Sequence, residues 1–174
     1  MYISTKIHNN KVHINFYIMN KVMEDMVDNL VIKECTYEDL EHVMFLQQQW
    51  AREEISHGFV PADKNYLVTK LGKYFFIAEL NDEIIGFVYG TVRKAEDLTI
   101  LDNGQLYIEV DDIYISSNSR GTGLGSLLLD KILEVAKENG IERSLIYSST
   151  KDMDSIIKFY KKHDYKTWYI QMFK

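Results

Sequence analysis

The chain has 174 residues, of which 46% are hydrophobic and 26% are charged, and this composition is typical of one globular domain. Lysine and arginine number 20 against 26 aspartates and glutamates, so the net charge of −6 argues against nucleic acid or an anionic membrane as a partner. No segment approaches the run of about 18 apolar residues that a membrane-spanning helix needs. Cys35 is the one cysteine, so no internal disulfide can form, and we expect a reducing, cytoplasmic setting.

The first 29 residues are predicted to be an extension of a domain that covers residues 30–174. Apolar residues at Val12, Ile14, Phe16 and Ile18 alternate with other side chains at the period of a β-strand. The segment is either an extra edge strand or arm, or a strand that pairs with another subunit, and it makes a homodimer possible. Translation could also begin at a later methionine, with the first residues as an upstream extension.

From Leu30 onward the pattern alternates between strand and helix periods. Thr36 precedes a helix as its N-cap, with Asp39 in the capping-box position, and Gly140 follows another helix as its C′ residue. We expect helices running towards Trp50, through Leu67, over residues 123–139 and over residues 154–163. Strands are expected over residues 30–34, 74–80, 84–92, 105–116, 144–149 and 165–173. The order β-α-α-β-β-β-α-β-α-β predicts an α/β (α+β) domain with a mixed sheet covered by helices.

The residues with the clearest chemistry lie at the junction from Ile113 to Ser126. A strand ends here, a turn follows, and a helix begins among three glycines within five residues. Unpaired backbone N–H groups at a helix N-terminus form an anion site, and glycines let a phosphate approach the backbone closely. The pattern indicates a diphosphate-binding turn with Arg120 at its mouth.

Two other phosphate motifs fit this junction poorly. A dinucleotide-binding fingerprint needs glycine or alanine where Ser126 stands, and an acidic residue at the end of the next strand, over residues 144–150, where none occurs. A P-loop is excluded because neither Gly-Lys-Ser nor Gly-Lys-Thr is present.

The segment Arg120–Gly125 resembles the signature of the GCN5-related N-acetyltransferases (GNAT), in which Arg or Gln, two residues, Gly, one residue and Gly or Ala link a strand to an amphipathic helix. The resemblance covers roughly residues 30–173. It implies a single-domain GNAT-like fold with a mostly antiparallel central sheet, and acetyl-CoA as cosubstrate. It also implies that the turn holds the CoA pyrophosphate and that the preceding strand pairs with the pantetheine arm. The cofactor-binding residues implied are Ile113, Tyr114, Ile115, Arg120, Gly121, Thr122, Gly123, Leu124, Gly125 and Ser126.

The same resemblance places Tyr160 near the CoA sulfur. A leaving thiolate needs a proton, and a phenol within hydrogen-bond reach can supply it, so Tyr160 is the candidate general acid. Packing on an apolar helix face is the alternative role for this side chain. The helix ends depart from the family pattern: Met153 stands where Asn is common, and His163 and Asp164 come before Tyr165 where Gly-Phe is usual.

Three acidic residues lie on the long strand before the turn and are candidates for the base that accepts the proton of the amine. Asp111 ranks first, Glu109 second and Asp112 third. Strand alternation predicts that Glu109 and Asp111 share one face and that Asp112 takes the other. The alternative for each acid is a structural or solvated role.

We therefore expect an acetyl-CoA-dependent N-acetyltransferase that acts on a primary amine of a small molecule or peptide by direct attack in a ternary complex. A non-catalytic acyl-CoA-binding module, or an acyltransferase with another acceptor or acyl group, remains the alternative.

Cys35 is expected to be a buried packing residue, and the histidine spacings predict no metal site. The aromatic residues of the first two helices and their loop are expected to line the acceptor site.

Overall fold

The computed structural model describes residues 29–174. Within this range the chain forms five strands, four α-helices and one turn of 3₁₀ helix over Ser117–Ser119. The strands are β1 (Leu30–Glu34), β2 (Phe75–Leu80), β3 (Glu83–Lys94), β4 (Leu106–Ile115) and β5 (Arg143–Ile146). The helices are α1 (Leu40–Glu53), α2 (Lys64–Val68), α3 (Leu124–Glu138) and α4 (Met153–Lys161).

The strands make one sheet in the order β1-β2-β3-β4-β5. The first three pairings are antiparallel, and the last, between β4 and β5, is parallel. A parallel pair needs a crossover between its strands, and α3 supplies it. The predicted mixed, mostly antiparallel sheet with flanking helices is confirmed.

Two apolar layers cover the two faces of the sheet. On one face α3 buries Leu128 and Ile132 against strand residues such as Ile108. On the other face α1 and α2 cover the remaining strand side chains, with Leu40 and Val43 among those that α1 buries. Cys35 lies in this second layer as expected, and burial raises the pKa of its thiol to about 12.

The N-cap residue of α1 is Asp39 and not, as expected, Thr36, because Thr36–Asp39 form a separate turn in which the Asp39 N–H donates to the Thr36 carbonyl at 3.2 Å. Thr36 donates its backbone N–H and its hydroxyl to the Asp39 carboxylate at 2.9 Å and 2.8 Å, ahead of α1. Asp152 accepts the N–H of Ser155 at 3.1 Å and caps α4. None of the helices within residues 29–174 is long and apolar enough to cross a membrane.

β4 and β5 separate partway along their length. They pair from Tyr107 opposite Arg143 to Val110 opposite Ile146, whereas β4 remains paired with β3 as far as Ile115. In the described part of the chain, the last five residues of β4 therefore have no strand partner on the β5 side. The resulting gap leads directly to the glycine turn.

The closing strand expected over residues 165–173 does not form. Residues 165–174 carry no regular secondary structure, and Trp168, Tyr169, Ile170, Met172 and Phe173 are exposed. Apolar side chains fall at both odd and even positions here, so no single face is marked for burial and no strand register is specified. The strand expected over residues 12–18 lies outside the described residues.

Candidate active site

A β-bulge in β4 brings together two acidic side chains that regular alternation would separate. Tyr89 of β3 pairs with Asp112 and Gly90 pairs with Val110, so Asp111 has no partner across the two strands. Because the bulge adds one residue to β4, each side chain after it lies on the opposite face of the sheet from the one that regular alternation predicts. The expectation that Asp112 faces away from Asp111 is therefore wrong, and both aspartates face α1 and α2.

Asp111 and Glu109 are each held in an ion pair. Asp111 accepts hydrogen bonds from the Lys70 ammonium at 2.7 Å and from the Thr91 hydroxyl at 2.6 Å, and Glu109 accepts one from Arg93 at 2.9 Å. Burial alone lowers the pKa of Lys70, but the hydrogen bond and charge of Asp111 raise it above its ordinary value. In both cases the bonds fall on one oxygen of the carboxylate, Oδ2 of Asp111 and Oε1 of Glu109, and a cation neutralises the charge of that group.

Asp112 has neutral partners instead. Its carboxylate accepts hydrogen bonds from the Tyr89 hydroxyl and, at 3.2 Å, from the amide of the fully buried Gln47. Burial raises the pKa of Asp112 to about 6, with a further contribution from the charge of Asp111. An acid with a pKa near the working pH can both accept and release a proton, and that property distinguishes Asp112 from an ordinary aspartate.

An open cleft of about 670 Å³ lies in front of these acids. Its walls come from the loop between α1 and α2, from α2, from the middle of β3 and β4, and from the segment after β5. Its lining includes both aromatic and acidic side chains: Phe59, Tyr66, Tyr89, Glu109, Asp111, Asp112 and Tyr147. The prediction that aromatic residues of the α1–α2 region line a site holds for Phe59 and Tyr66.

The glycine turn presents unpaired backbone donors at the start of α3. Gly121 and Gly123 have φ of 77° and 91°, and no atom lies within 4 Å of a β-carbon placed on either residue. Among the described residues, the N–H groups of residues 121–125 donate to no backbone or side-chain acceptor. The macrodipole of α3 adds positive potential at the same point, so the turn fits a diphosphate.

Gly125 differs from the two glycines before it. Its φ is not positive, and a β-carbon there would meet the Phe159 ring at 3.6 Å and Ile115 at 3.9 Å, which are ordinary contacts. An alanine would fit at Gly125 but not, without strain, at Gly123. This difference accounts for a signature that requires glycine at one position and accepts glycine or alanine two residues later.

The Arg120 side chain is directed back into the protein. It donates to the Ile115 carbonyl at 2.9 Å and to the Glu53 carboxylate at 2.6 Å. Glu53 also accepts the Tyr114 hydroxyl at 2.7 Å, and the Arg120 guanidinium stands 5.1 Å from the centre of the Tyr114 ring. Arg120 thus fixes the end of β4 and the entry of the turn against the C-terminal end of α1.

An aromatic column runs from the cleft to this arginine. The Phe59 ring stacks on Trp50 with centroids 4.1 Å apart, and Trp50 stacks on Tyr114 at 5.3 Å. Trp50 is fixed further by the hydrogen bond that its indole N–H donates to Ser56. Through side-chain contacts the column joins the loop between α1 and α2 to Arg120 at the entry of the glycine turn.

Tyr160 stands on α4, next to Phe159, which packs against the glycine turn. Its hydroxyl makes no hydrogen bond to another residue in the 29–174 range. Burial raises the pKa of Tyr160 well above its ordinary value, with smaller contributions from Tyr165 and the charge of Asp112. The phenol therefore keeps its proton at neutral pH, as a general acid must.

The sequence did not reveal which side chains are bonded to Arg120, Asp111 and Asp112. Glu53, Lys70 and Gln47 carry no local motif, and their partners lie 67, 41 and 65 residues away in the chain. A polar Gln47 amid the apolar positions of a helix was the one available signal, because a buried amide needs a hydrogen-bond partner.

Comparison with known proteins gives a family match over most of the chain. Residues 25–165 match the family model for the Acetyltransferase (GNAT) family. A curated relative, an uncharacterized N-acetyltransferase of Methanocaldococcus jannaschii, is 24% identical over 149 residues, which cover 84% of this chain and 59% of the relative. The chain therefore spans about 59% of the length of that relative.

Solved structures share the fold at low sequence identity. A predicted acetyltransferase of Clostridium acetobutylicum, solved with acetyl-CoA, gives a TM-score of 0.65 at 18% identity, covering 82% of this chain and 95% of that one. An aminoglycoside acetyltransferase from an uncultured soil metagenomic sample, in complex with sisomicin, gives 0.64 at 18% identity, covering 86% and 97%.

Alanine at Gly123 and alanine at Gly125, two of the three glycines of the turn, should have opposite effects on stability. Gly123→Ala forces a β-carbon into a left-handed conformation and should lower the free energy of unfolding by about 1–2 kcal/mol. Gly125→Ala, the matched control, should be neutral or stabilising by up to about 1 kcal/mol because alanine favours a helix more than glycine does. Urea unfolding measures both, and equal losses would contradict this account of the turn.

Asp112→Asn should stabilise the protein at neutral pH. The folded-state pKa of Asp112, about 6, lies above the ordinary 3.8, so the folded protein binds this proton more tightly than the unfolded chain does. Stability is therefore lost as pH rises from about 4 to about 6, and asparagine removes that loss. We expect a gain of about 1–3 kcal/mol at pH 7 and above that vanishes below about pH 4.

Urea unfolding over a pH series checks this gain. Asp111→Asn is the matched control: it deprives Lys70 of its ion-pair partner and should destabilise the protein at neutral pH. If the gain in stability of Asp112→Asn does not change with pH, it does not come from the raised pKa of the buried Asp112 carboxyl, and this explanation is wrong.

Proposed function

The chain belongs to the acetyltransferase (GNAT) family, and from this we propose that it transfers the acetyl group of acetyl-CoA to a primary amine by direct attack in a ternary complex. One observation carries the proposal. The unpaired N–H groups of residues 121–125 and the acid-lined cleft lie at the two ends of the stretch of β4 that has separated from β5. A diphosphate site and an acceptor site are thus joined by a gap.

The cosubstrate is held mainly by backbone groups. The N–H groups of the turn, together with the dipole of α3, bind the CoA diphosphate. The backbone of residues 113–115 borders the gap and pairs with the pantetheine arm, except that the Ile115 carbonyl already accepts a hydrogen bond from Arg120. Arg120 acts by shaping the turn. Acetyl-CoA, when bound, supplies the acetyl group as a reactive thioester.

Asp112 is the base in this proposal and Tyr160 the acid. The amine is reactive only when neutral, and Asp112, with a pKa of about 6 and no cation bonded to it, accepts its proton directly or through a water. Tyr160 keeps its proton until the thiolate leaves. We place Asp112 ahead of Asp111 and Glu109, which are engaged with Lys70 and Arg93.

The cleft favours a cationic acceptor. Three carboxylates line it, and within residues 29–174 two cations, Lys70 and Arg93, are bonded to them. The rings of Phe59, Tyr66 and Tyr147 also line the cleft, and aromatic rings attract ammonium groups, as the Lys70 ammonium 5.1 Å from the centre of the Tyr66 ring illustrates. The aminoglycoside acetyltransferase that shares the fold is solved with sisomicin, a ligand of this chemical class. We therefore propose small polyamines and amino sugars as acceptors, with peptide amines as the next class.

Ligand-dependent melting and a release assay test the function together. Acetyl-CoA and CoA should both raise the melting temperature, because a ligand that binds only the folded state stabilises it. Free CoA thiol should then appear with a polyamine, an aminoglycoside, an amino acid or a peptide. Asp112→Asn should keep the melting shift and lose about 100-fold or more in release rate.

Each outcome of this pair of assays has a separate meaning. No melting shift with either ligand overturns the cofactor site. A normal shift with no release for any amine overturns the transferase and supports an acyl-CoA-binding module. Release with alcohols only, or only with longer acyl-CoA, overturns the acceptor or the acyl group proposed here.

Tyr160→Phe should lower kcat by about 10²-fold or more while the dissociation constant of acetyl-CoA stays within about twofold. The phenyl ring keeps the packing of α4, and the substitution removes only the hydroxyl group that would donate the proton. Tyr165→Phe is the control, because Tyr165 touches the same ring and its hydroxyl is hydrogen-bonded to Ser144 at 2.7 Å. Steady-state kinetics and calorimetry measure the two quantities, and an unchanged kcat removes Tyr160 from the acid role.

A further inference from the structure

A chain of three polar side chains ends in the glycine turn. Ser126, in the first turn of α3, lies 3.0 Å from Nε2 of His163, and Nδ1 of the same imidazole lies 2.9 Å from the Asp130 carboxylate. His163 follows α4, and its side chain is only 10% exposed. The Phe159 ring covers it with centroids 5.1 Å apart.

The direction of these hydrogen bonds follows from the donors available. An ionised carboxylate only accepts, so Nδ1 of His163 carries a proton and donates it to Asp130. In the neutral imidazole Nε2 is then an acceptor, and the Ser126 hydroxyl donates its single proton to it. A serine in this state has no proton left for an anion.

Protonation of His163 reverses the bond. Both ring nitrogens of the imidazolium are donors, so Nε2 donates to the Ser126 oxygen and the Ser126 proton becomes free. The free hydroxyl lies in the same turn as the unpaired N–H groups of residues 121–125. The imidazolium also brings one positive charge to that end of α3.

We propose that His163 is a positioning residue for the diphosphate site: it takes up a proton from solvent as the CoA diphosphate binds and thereby turns the Ser126 hydroxyl into a donor to the phosphate. This inference rests on the proposed function, which puts the diphosphate in the turn. No bond other than these hydrogen bonds forms or breaks, and the proton is returned when the ligand leaves.

The surroundings of His163 support such a switch. α3 presents the Asp130 carboxylate to the ring, and α4 presents the uncharged Phe159 ring, while Lys162 and Asp164 flank His163 in the chain with opposite charges. Histidine is the side chain whose charge changes near neutral pH. Because binding takes up a proton, affinity should be high at low pH and fall as pH rises.

The test uses 3′-dephospho-CoA as the probe, since it keeps the diphosphate and lacks the 3′-phosphate, which itself titrates near pH 6. Calorimetry on the full chain measures its dissociation constant from about pH 6 to about pH 8.5, in two buffers of different ionisation enthalpy. We expect the constant to rise about tenfold over this range, with net proton uptake on binding.

Three variants test whether His163 is the group that takes up the proton on binding. His163→Gln should abolish the pH slope and the proton uptake, and Ser126→Ala should weaken binding at about pH 6 and flatten the slope. Asp130→Asn removes the carboxylate that holds the proton on Nδ1, so the Ser126 hydroxyl no longer has to donate to Nε2 and the proton uptake on binding should decrease. Melting curves confirm that each variant is folded, and any one folded variant suffices.

The outcomes separate this inference from the proposed function. Tight binding of the probe with no pH slope in the wild type, or a slope that survives in folded His163→Gln or Ser126→Ala, overturns the role of His163 and leaves the cofactor site intact. Failure of both CoA and 3′-dephospho-CoA to bind at every pH overturns the cofactor site and this inference with it.

Discussion

The loss of strand pairing on one side of β4 is the constraint on which the rest of the site depends. After Val110 the strand keeps its antiparallel partner β3 and loses its parallel partner β5, while the bulge at Asp111 turns the next side chain over. The first change leaves a row of backbone groups facing a gap. The second places Asp112 beside Asp111 at that gap. The glycine turn follows within ten residues, so one short stretch of chain contributes to both of the proposed substrate sites.

Charge in the site is balanced locally, and this makes the proposed anion site compatible with an acidic protein. The turn offers a phosphate backbone dipoles, whose reach is short, so the net charge of −6 matters little there. The cations near the site are committed to carboxylates: Lys70 to Asp111, Arg93 to Glu109 and Arg120 to Glu53. Asp112 alone among these acids has neutral partners, and burial sets its proton affinity.

The sequence was most informative where local pattern determines structure. Strand and helix periods located all five observed strands and four helices, and the glycine turn was predicted at the residues where the structure has it. The bulge was not predicted, because no residue in the run Glu109–Asp112 marks an extra position, and the assignment of acids to faces failed with it. The ion pairs could not be read at all, since they join residues 16 to 67 positions apart.

The aromatic column has a practical consequence. Trp50 is one of two tryptophans in the chain, and it lies between Phe59, at the wall of the cleft, and Tyr114, which carries Arg120 on its ring. The emission of an indole depends on the rings and charges that touch it. The molecule therefore contains an indole fluorophore in contact with the walls of both proposed substrate sites. With Trp168 replaced, the intrinsic fluorescence of Trp50 alone would report on its two stacked neighbours without an added label.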